Sequence, residues 1–285
     1  MDFKDLLLKH RLDLDKVMVM RHSPTEPGLR KVLPWLASER PEVFNAYQQT
    51  QNPGAEKALM KADYVASFIG KGGDKATFIG FYRRGNWRPV NNEQLWAIPA
   101  VQELNKFGTV DVGDRAVAQW FDLKLLDLYA EWKGRLVIKW PPGQLFWRWA
   151  KRNEFAIHAI HEESNLDAEM ASWDKLSLTW EELKVLPTRS KAKLAEWRGI
   201  YFILDKSDGK AYVGSAYGKD NILGRWLEYA ASGHGGNTKL KQRAPQNFIF
   251  TILQRTSPDM DGDDVIRLEN SWMDRLHTRE FGLND

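Results

Sequence analysis

Five residues in the last third of the chain are of types that act together on charged oxygen. Tyr201 and Tyr212 lie in two β-like runs, YFILD and KAYVGS, either side of a tight Ser207-Asp208-Gly209 turn, and two strands so joined bring the phenols into one neighbourhood. Arg225 and Tyr229 are four residues apart in ILGRWLEYAAS and share a face if that run is helical. Glu269 falls in VIRLENSWMDRLHTR. A carboxylate is a hard oxygen ligand of the kind Mg2+ accepts while keeping several waters. A guanidinium offers a fixed fork of donors to non-bridging phosphate oxygens. A phenol beside a metal and an arginine can have its pKa of about 10 lowered and so accept a proton. These types suit hydrolysis of a phosphodiester, which needs an activated water, neutralised charge at phosphorus and a stabilised leaving oxygen. Singly, each has a plainer reading: cross-strand packing for the tyrosines, a surface cation for Arg225, a solvated acid for Glu269.

The elements that must position them follow from local signals. Asp220 or Asn221 can cap the helix carrying Arg225, with Gly233 at its C′ position. NFIFTILQRT reads as a third strand, and Asp261 to Asp264 supply an acidic first turn to the helix bearing Glu269. The DMDGDD run is read as helix capping, since Gly262 comes too early for a calcium loop starting at Asp259. The expected fold is α+β: a small three-stranded mixed or antiparallel sheet flanked by helices over residues 194–285. Upstream, Thr179 with Glu182 three residues on forms a capping-box pattern, and Pro187 closes that segment. Residues 166–193 are accordingly expected as a helical linker, preceded by a separate α+β domain over 1–165.

The ordered set Gly199-Ile200-Tyr201, ten intervening residues, Tyr212-Val213-Gly214, then Arg225 and Glu269, resembles the GIY-YIG endonucleases over about residues 194–285. Gly282-Leu283-Asn284 looks like that family's late Asn-containing segment. Ser215 and the run Gly233-His234-Gly235-Gly236-Asn237 are similar to a subgroup often fused to other domains. Tyr229 stands where some restriction members carry His, and the repair-nuclease branch is similar to this sequence in having Tyr there, so the general base stays open between Tyr201 and Tyr229. The resemblance implies Tyr201 as proton acceptor, Tyr212 orienting water or phosphate, Tyr229 assisting, and Glu269 holding one Mg2+ or Mn2+ per active site. It also implies DNA contacts from Gly214, Ser215, Lys219, His234, Asn237, Lys239 and Asn284.

Before residue 186 the chain is rich in tryptophan: ten of the 13 lie there. Most must be core, since aromatics bury large areas. Trp147, Arg148 and Trp149 precede Lys151 and Arg152, while Arg83, Arg84 and Arg88 surround Trp87. Aromatics interleaved with cations suit base stacking plus phosphate contact, and an aromatic pocket suits a flipped or modified base. The region is expected to recognise double-stranded, possibly base-modified DNA, the alternative being packing or dimerisation. Locally, AEKALMKADYVASFIG reads as a helix ended by Gly70, ATFIGFYRR, WFDLKLL, GRLVIKW and AIHAIHEE as strand-like runs, and LFWRWAKRNEF as a loop or short helix. Lys71-Gly72-Gly73-Asp74 reads as a turn, lacking the spacing of a phosphate loop. His158 and His161 do not form HExxH and are read as structural.

Composition bounds the rest. The 285 residues carry 41 Lys plus Arg against 38 Asp plus Glu, too balanced to argue nucleic-acid binding from the total. The distribution is uneven: 12 basic against five acidic residues over 186–255, then three against eight over 256–285, as for a phosphate-binding surface beside a metal-binding carboxylate. Zero Cys excludes disulfides, thiolate zinc and a Cys nucleophile. No apolar run nears the roughly 18 residues of a membrane span, and acids interrupt the first apolar run, so a cytoplasmic protein without membrane association is expected. The expectation is a metal-dependent DNA endonuclease of restriction or phage defence with an N-terminal specificity module, paired cuts calling for a homodimer on DNA. A repair or mobile-element nuclease, a catalytically weak DNA-binding protein, and RNA as substrate are the alternatives.

Overall fold

The structure, a computed structural model, describes residues 1–108, 112–166, 170–234 and 237–285. The chain divides into two compact units, Met1–Ala168 and Glu169–Asp285.

In the first unit α1 (Phe3–Lys9) precedes β1 (Val17–His22), and α2 (Pro27–Glu39), α3 (Pro41–Gln49) and α4 (Pro53–Leu59) lead to β2 (Tyr64–Gly70). A prolyl residue opens each of α2, α3 and α4, where its missing N–H would have had no intrahelical partner. β2 runs parallel to β1. The long β3 (Lys75–Val90) returns antiparallel to β2. Two short helices follow, α5 (Asn92–Trp96) and α6 (Pro99–Leu104), then β4 (Ala118–Leu126), β5 (Leu136–Lys139), β6 (Trp147–Trp149) and β7 (Ile157–Ile160). The mixed sheet has the order β6-β1-β2-β3-β5-β7, and β4 pairs with the later part of β3.

Two local readings are corrected here. The run expected as one helix to Gly70 is α4 followed by β2, because YVASFI is a buried β-rich segment that pairs on both edges. The run expected as loop or short helix contains β6, which pairs antiparallel with Met18–Met20 of β1; three residues are too few to show a period.

In the second unit β8 (Ser177–Thr179) enters α7 (Trp180–Lys184) and α8 (Thr188–Glu196), followed by β9 (Arg198–Asp205), β10 (Ala211–Ala216), α9 (Asn221–Ser232), β11 (Phe248–Thr256) and α10 (Gly262–Arg275). The sheet is wholly antiparallel in the order β10-β9-β11-β8. It therefore has four strands, not three. Residues from 176 to 194 are no linker: Leu176, Leu178, Leu183, Leu186 and Leu194 are core residues of this unit. The Thr179–Glu182 capping box forms with both reciprocal bonds.

The strands alternate sides. One face carries Tyr201, Ile203 and Ala216 under α9, with Trp226 and Tyr229 in the same cluster. The other carries Ile200 and Val213 under α10, through Val265, Leu268 and Trp272. Among the described residues no helix is long and apolar enough to cross a membrane.

Candidate active site

Both motif glycines are explained by close approach. Gly199 has φ +153°, and a Cβ there would stand 2.1 Å from the Gln254 carbonyl oxygen, beside the bulge of β11 between Ile252 and Gln254. Gly214 pairs directly with Tyr201, whose ring covers it, so any Cβ at 214 meets the phenol. Gly214 is buried and makes room for the ring.

Tyr201, Tyr212 and Tyr229 form one aromatic layer, with ring centroids 6.4, 6.0 and 5.6 Å apart for the three pairs. The Tyr201 hydroxyl donates to the Tyr229 oxygen at 3.4 Å. Tyr201 and Tyr229 are buried and Tyr212 is half-buried. Burial drives the Tyr201 phenol well above its ordinary range, the Tyr229 and Tyr212 phenols add to this, and Arg225 opposes it by less. Tyr212 is raised for the same reasons, with Glu269 contributing. For Tyr201, desolvation outweighs the guanidinium.

In front of this layer, past the edge strand β10, lies a cleft of about 660 Å3 whose walls include Ser215, Tyr217, Lys219, Arg225, Glu228 and Glu269. Arg225 comes from α9 and Glu269 from α10, helices on opposite faces of the sheet, and they meet only because β10 ends there. Arg225 is half-exposed and pairs with Glu228 one turn on at 3.0 Å. The buried Tyr201 and Tyr229 phenols hold its pKa up. The Ser215 hydroxyl donates to Glu269 Oε2 at 2.5 Å. Burial holds the Glu269 carboxyl above the usual range, against the pull of Ser215, Arg225 and Arg279.

Among the described residues no three His, Asp or Glu side chains are grouped to hold a metal. A cation would rest on Glu269, with Glu228 and the Ser215 hydroxyl in the same cleft, and this donor set fits Mg2+, which takes one or two carboxylates and keeps waters. The half-buried Glu269 carboxylate has no ion pair among the described residues, and a cation would relieve its desolvation.

Of the other expected contacts, Lys219 is exposed on the cleft wall and His234 is half-exposed after α9. Asn237 instead caps a single turn, its Oδ1 accepting from Leu240 N–H at 3.0 Å. Lys239 bonds the Asn284 carbonyl. Asn284 is buried and spends its amide on both backbone groups of Val213, at 2.9 and 2.8 Å, as a clamp on the edge strand. Gly235 and Gly236 of the same run lie outside the described residues. In the first unit Trp147 and Trp149 pack on the core cluster of Met18, Met20 and Phe121, while Arg148 lies on the other side of β6. The half-buried tryptophans are thus wall more than free stacking platform.

Tyr217, Glu228 and Ile266 also line the cleft and were not anticipated. Tyr217 follows Ser215 by two, and Glu228 follows Arg225 by three, the spacings that repeat a face on a strand and a helix.

No family model and no curated protein matches the chain. Among solved structures it is similar to the catalytic domain of the homing endonuclease I-TevI, with 29% identity over 30% of this chain and 96% of that chain at a TM-score of 0.26. A mutant of the catalytic domain of the intron endonuclease I-TevI is similar with 24% identity, 31% and 92% coverage, and the same TM-score.

Proposed function

We propose that this chain is a divalent-metal-dependent endonuclease of the GIY-YIG type that hydrolyses phosphodiester bonds in DNA. The observation that carries the reading is the meeting of Arg225 and Glu269, from helices on opposite faces of one sheet, in the walls of a single cleft. Glu269 holds the cation, and Ser215 fixes the carboxylate's orientation through its hydrogen bond to Oε2. Bound there, the cation supplies Lewis-acid charge at the phosphate and makes water more acidic. Arg225 exchanges Glu228 for non-bridging phosphate oxygens, which accept its fork better than a solvated surface carboxylate does. Burial keeps the protons on the tyrosine layer, which orients Arg225 from behind, with Tyr212 its half-buried member. Lys219 and Tyr217 serve the strand on either side of the scissile phosphate.

The unit Met1–Ala168 is assigned to recognition of DNA, and the whole to restriction or phage defence, with a homodimer giving paired cuts. Incubating supercoiled plasmid with the protein and Mg2+ or Mn2+ tests the chemistry. Parallel unmodified, methylated and glucosylated hydroxymethyl substrates test the defence reading, and an RNA duplex tests the sugar. Absence of nicking with every substrate and both metals would sink the nuclease reading.

A further inference from the structure

Two cations of the first unit lie side by side with unsatisfied donors. Arg21 is the penultimate residue of β1 and its backbone N–H donates to the Phe146 carbonyl, while Arg148 of β6 is opposite Val19. The two are therefore diagonal neighbours on one face of an antiparallel pair, with Cα atoms about 7–8 Å apart. Arg21 stacks over the Trp140 ring at 5.1 Å and reaches the Gly73 carbonyl at 3.5 Å. Arg148 donates through Nη2 to the Pro142 carbonyl at 3.0 Å. The Nε of each is buried and has no hydrogen-bond partner, and neither guanidinium forms an ion pair among the described residues. Burial lowers the Arg21 pKa, and repulsion from Arg148 lowers it further. Two half-buried guanidinium groups side by side, each with a buried Nε that has no partner, leave donor capacity that an anion can take up.

The surroundings indicate which anion. Arg21 lines a cleft of about 860 Å3 with His22, Ser23, Tyr47, Gln144 and Phe146. That cleft opens past the carboxyl end of β1, one of the two parallel strands, where open sheets with parallel strands receive ligands. Planar donor forks without a carboxylate partner match phosphate oxygens.

We propose that Arg21, on the wall of this cleft, and its neighbour Arg148 form a phosphate clamp, taking a backbone phosphate of DNA bound by the first unit. The proposal rests on the reading of the chain as acting on DNA. It replaces Trp147 and Trp149 as the principal contacts, since these face the core on the other side of the same strand.

The test uses the full-length chain without divalent cation, so that cleavage does not enter and a failure here is separable from failure of the nuclease reading. Binding of a fluorescein-labelled DNA duplex is measured by anisotropy across a salt series, beside the melting temperature with and without sodium phosphate. For the Arg21→Gln/Arg148→Gln double variant we expect duplex affinity about tenfold weaker and a salt slope smaller by about 1–2. Its melting temperature should be unchanged or higher, because a repulsion has been removed. Duplex affinity within twofold of wild type overturns the proposal, as does a fall in melting temperature with binding retained, which marks a structural pair. Stabilisation of wild type by phosphate that the double variant loses, with duplex binding unaltered, marks a site for free phosphate and also overturns it. If the double variant does not fold, Arg148→Lys decides: it keeps the charge and loses the fork. Weakening of duplex binding by about threefold supports the clamp, and unchanged affinity refutes it.

Discussion

The ring of Tyr201 lies across Gly214 of the adjoining strand, so closely that a Cβ at position 214 would stand 2.4 Å from the phenol oxygen and 2.5 Å from Cζ. The two residues are direct partners in the β9–β10 ladder, so neither can retreat without breaking the strand pairing. The glycine of the second motif is in this way a statement about the tyrosine of the first. Gly214→Ala should destabilise the second unit by about 1–3 kcal/mol, the range for forcing extra volume into a packed core, and disturb near-ultraviolet circular dichroism of the tyrosine layer. Gly218→Ala, where an added Cβ meets nothing within 4 Å, is the control. Equal losses in the two variants would show that the Tyr201 contact is not the cause.

Glu269→Gln should abolish nicking while leaving fold and DNA affinity nearly intact. The amide keeps the shape and still accepts from Ser215, but loses the charge that holds a cation. Cutting at wild-type rate in saturating Mg2+ or Mn2+ would falsify the metal assignment.

Arg225→Lys keeps a charge and loses the fork, and a fall in rate of about 10²-fold or more is expected, as for removal of one transition-state donor. Glu228→Gln, which frees Arg225 from an exposed i,i+3 pair, should change stability by less than about 1 kcal/mol and leave Arg225 available to phosphate. A loss below threefold in Arg225→Lys would leave Arg225 a surface cation.

Where a local rule decides the structure, the sequence is readable. Thr179 with Glu182 makes the capping box its spacing announces, Gly233 ends α9 at φ +79°, and Asp261 caps α10 through Asp263 N–H. The Ser207-Asp208-Gly209 turn forms too, and Arg243 pins it by pairing with Asp205 and Asp208. The readings that failed depend on distant partners. β6 and β8 have three residues each and acquire strand identity only from β1 and β11. Asn284 looks like an exposed terminal polar residue until Val213, 71 positions earlier, is brought against it. The burial of Tyr201 is illegible for a similar reason: its neighbours can be listed from motifs, but the depth of burial is a property of the packed sheet.

His22 supplies a pH dependence with a defined sign. Burial lowers its pKa from 6.5 to about 4, more than the Gln48 hydrogen bond raises it; Nε2 is 3.3 Å from Gln48 Oε1. The unfolded chain therefore takes up a proton that the folded unit refuses. The stabilisation of neutral His22 is fully present above pH 6.5 and is lost as pH falls toward 4, by about 3 kcal/mol in total. Amide-exchange protection of Val17–His22 should fall over this window in wild type and less steeply in His22→Gln. An equally steep fall in the variant would place the acid sensitivity elsewhere.

Asn284 gives the sharpest test of whether a motif residue acts on substrate or on the fold. β10 is an edge strand, so the outward N–H and C=O of Val213 have no neighbouring strand. The Asn284 side chain takes that place: Oδ1 accepts from Val213 N–H at 2.9 Å, and Nδ2 donates to the Val213 carbonyl at 2.8 Å. Leu283 N–H adds a bond to Ala211 O at 2.8 Å, and Lys239 holds the Asn284 carbonyl from the other side. The residue is 2% exposed, and water cannot readily replace what it provides. Asn284→Ala leaves two buried backbone groups unpaired, each worth about 1–3 kcal/mol, so a loss of about 2–6 kcal/mol is expected for the second unit. Asn284→Asp keeps the acceptor, loses the donor and sets a carboxylate oxygen against a carbonyl, so it should recover little. Because β10 also carries Tyr212 and Ser215, both variants should lower the cleavage rate at temperatures where they remain folded, with duplex affinity unchanged. A residue that touched DNA would give the opposite pattern: affinity would fall and the melting temperature would stay. Finding that pattern in Asn284→Ala would return Asn284 to the DNA interface and remove the clamp.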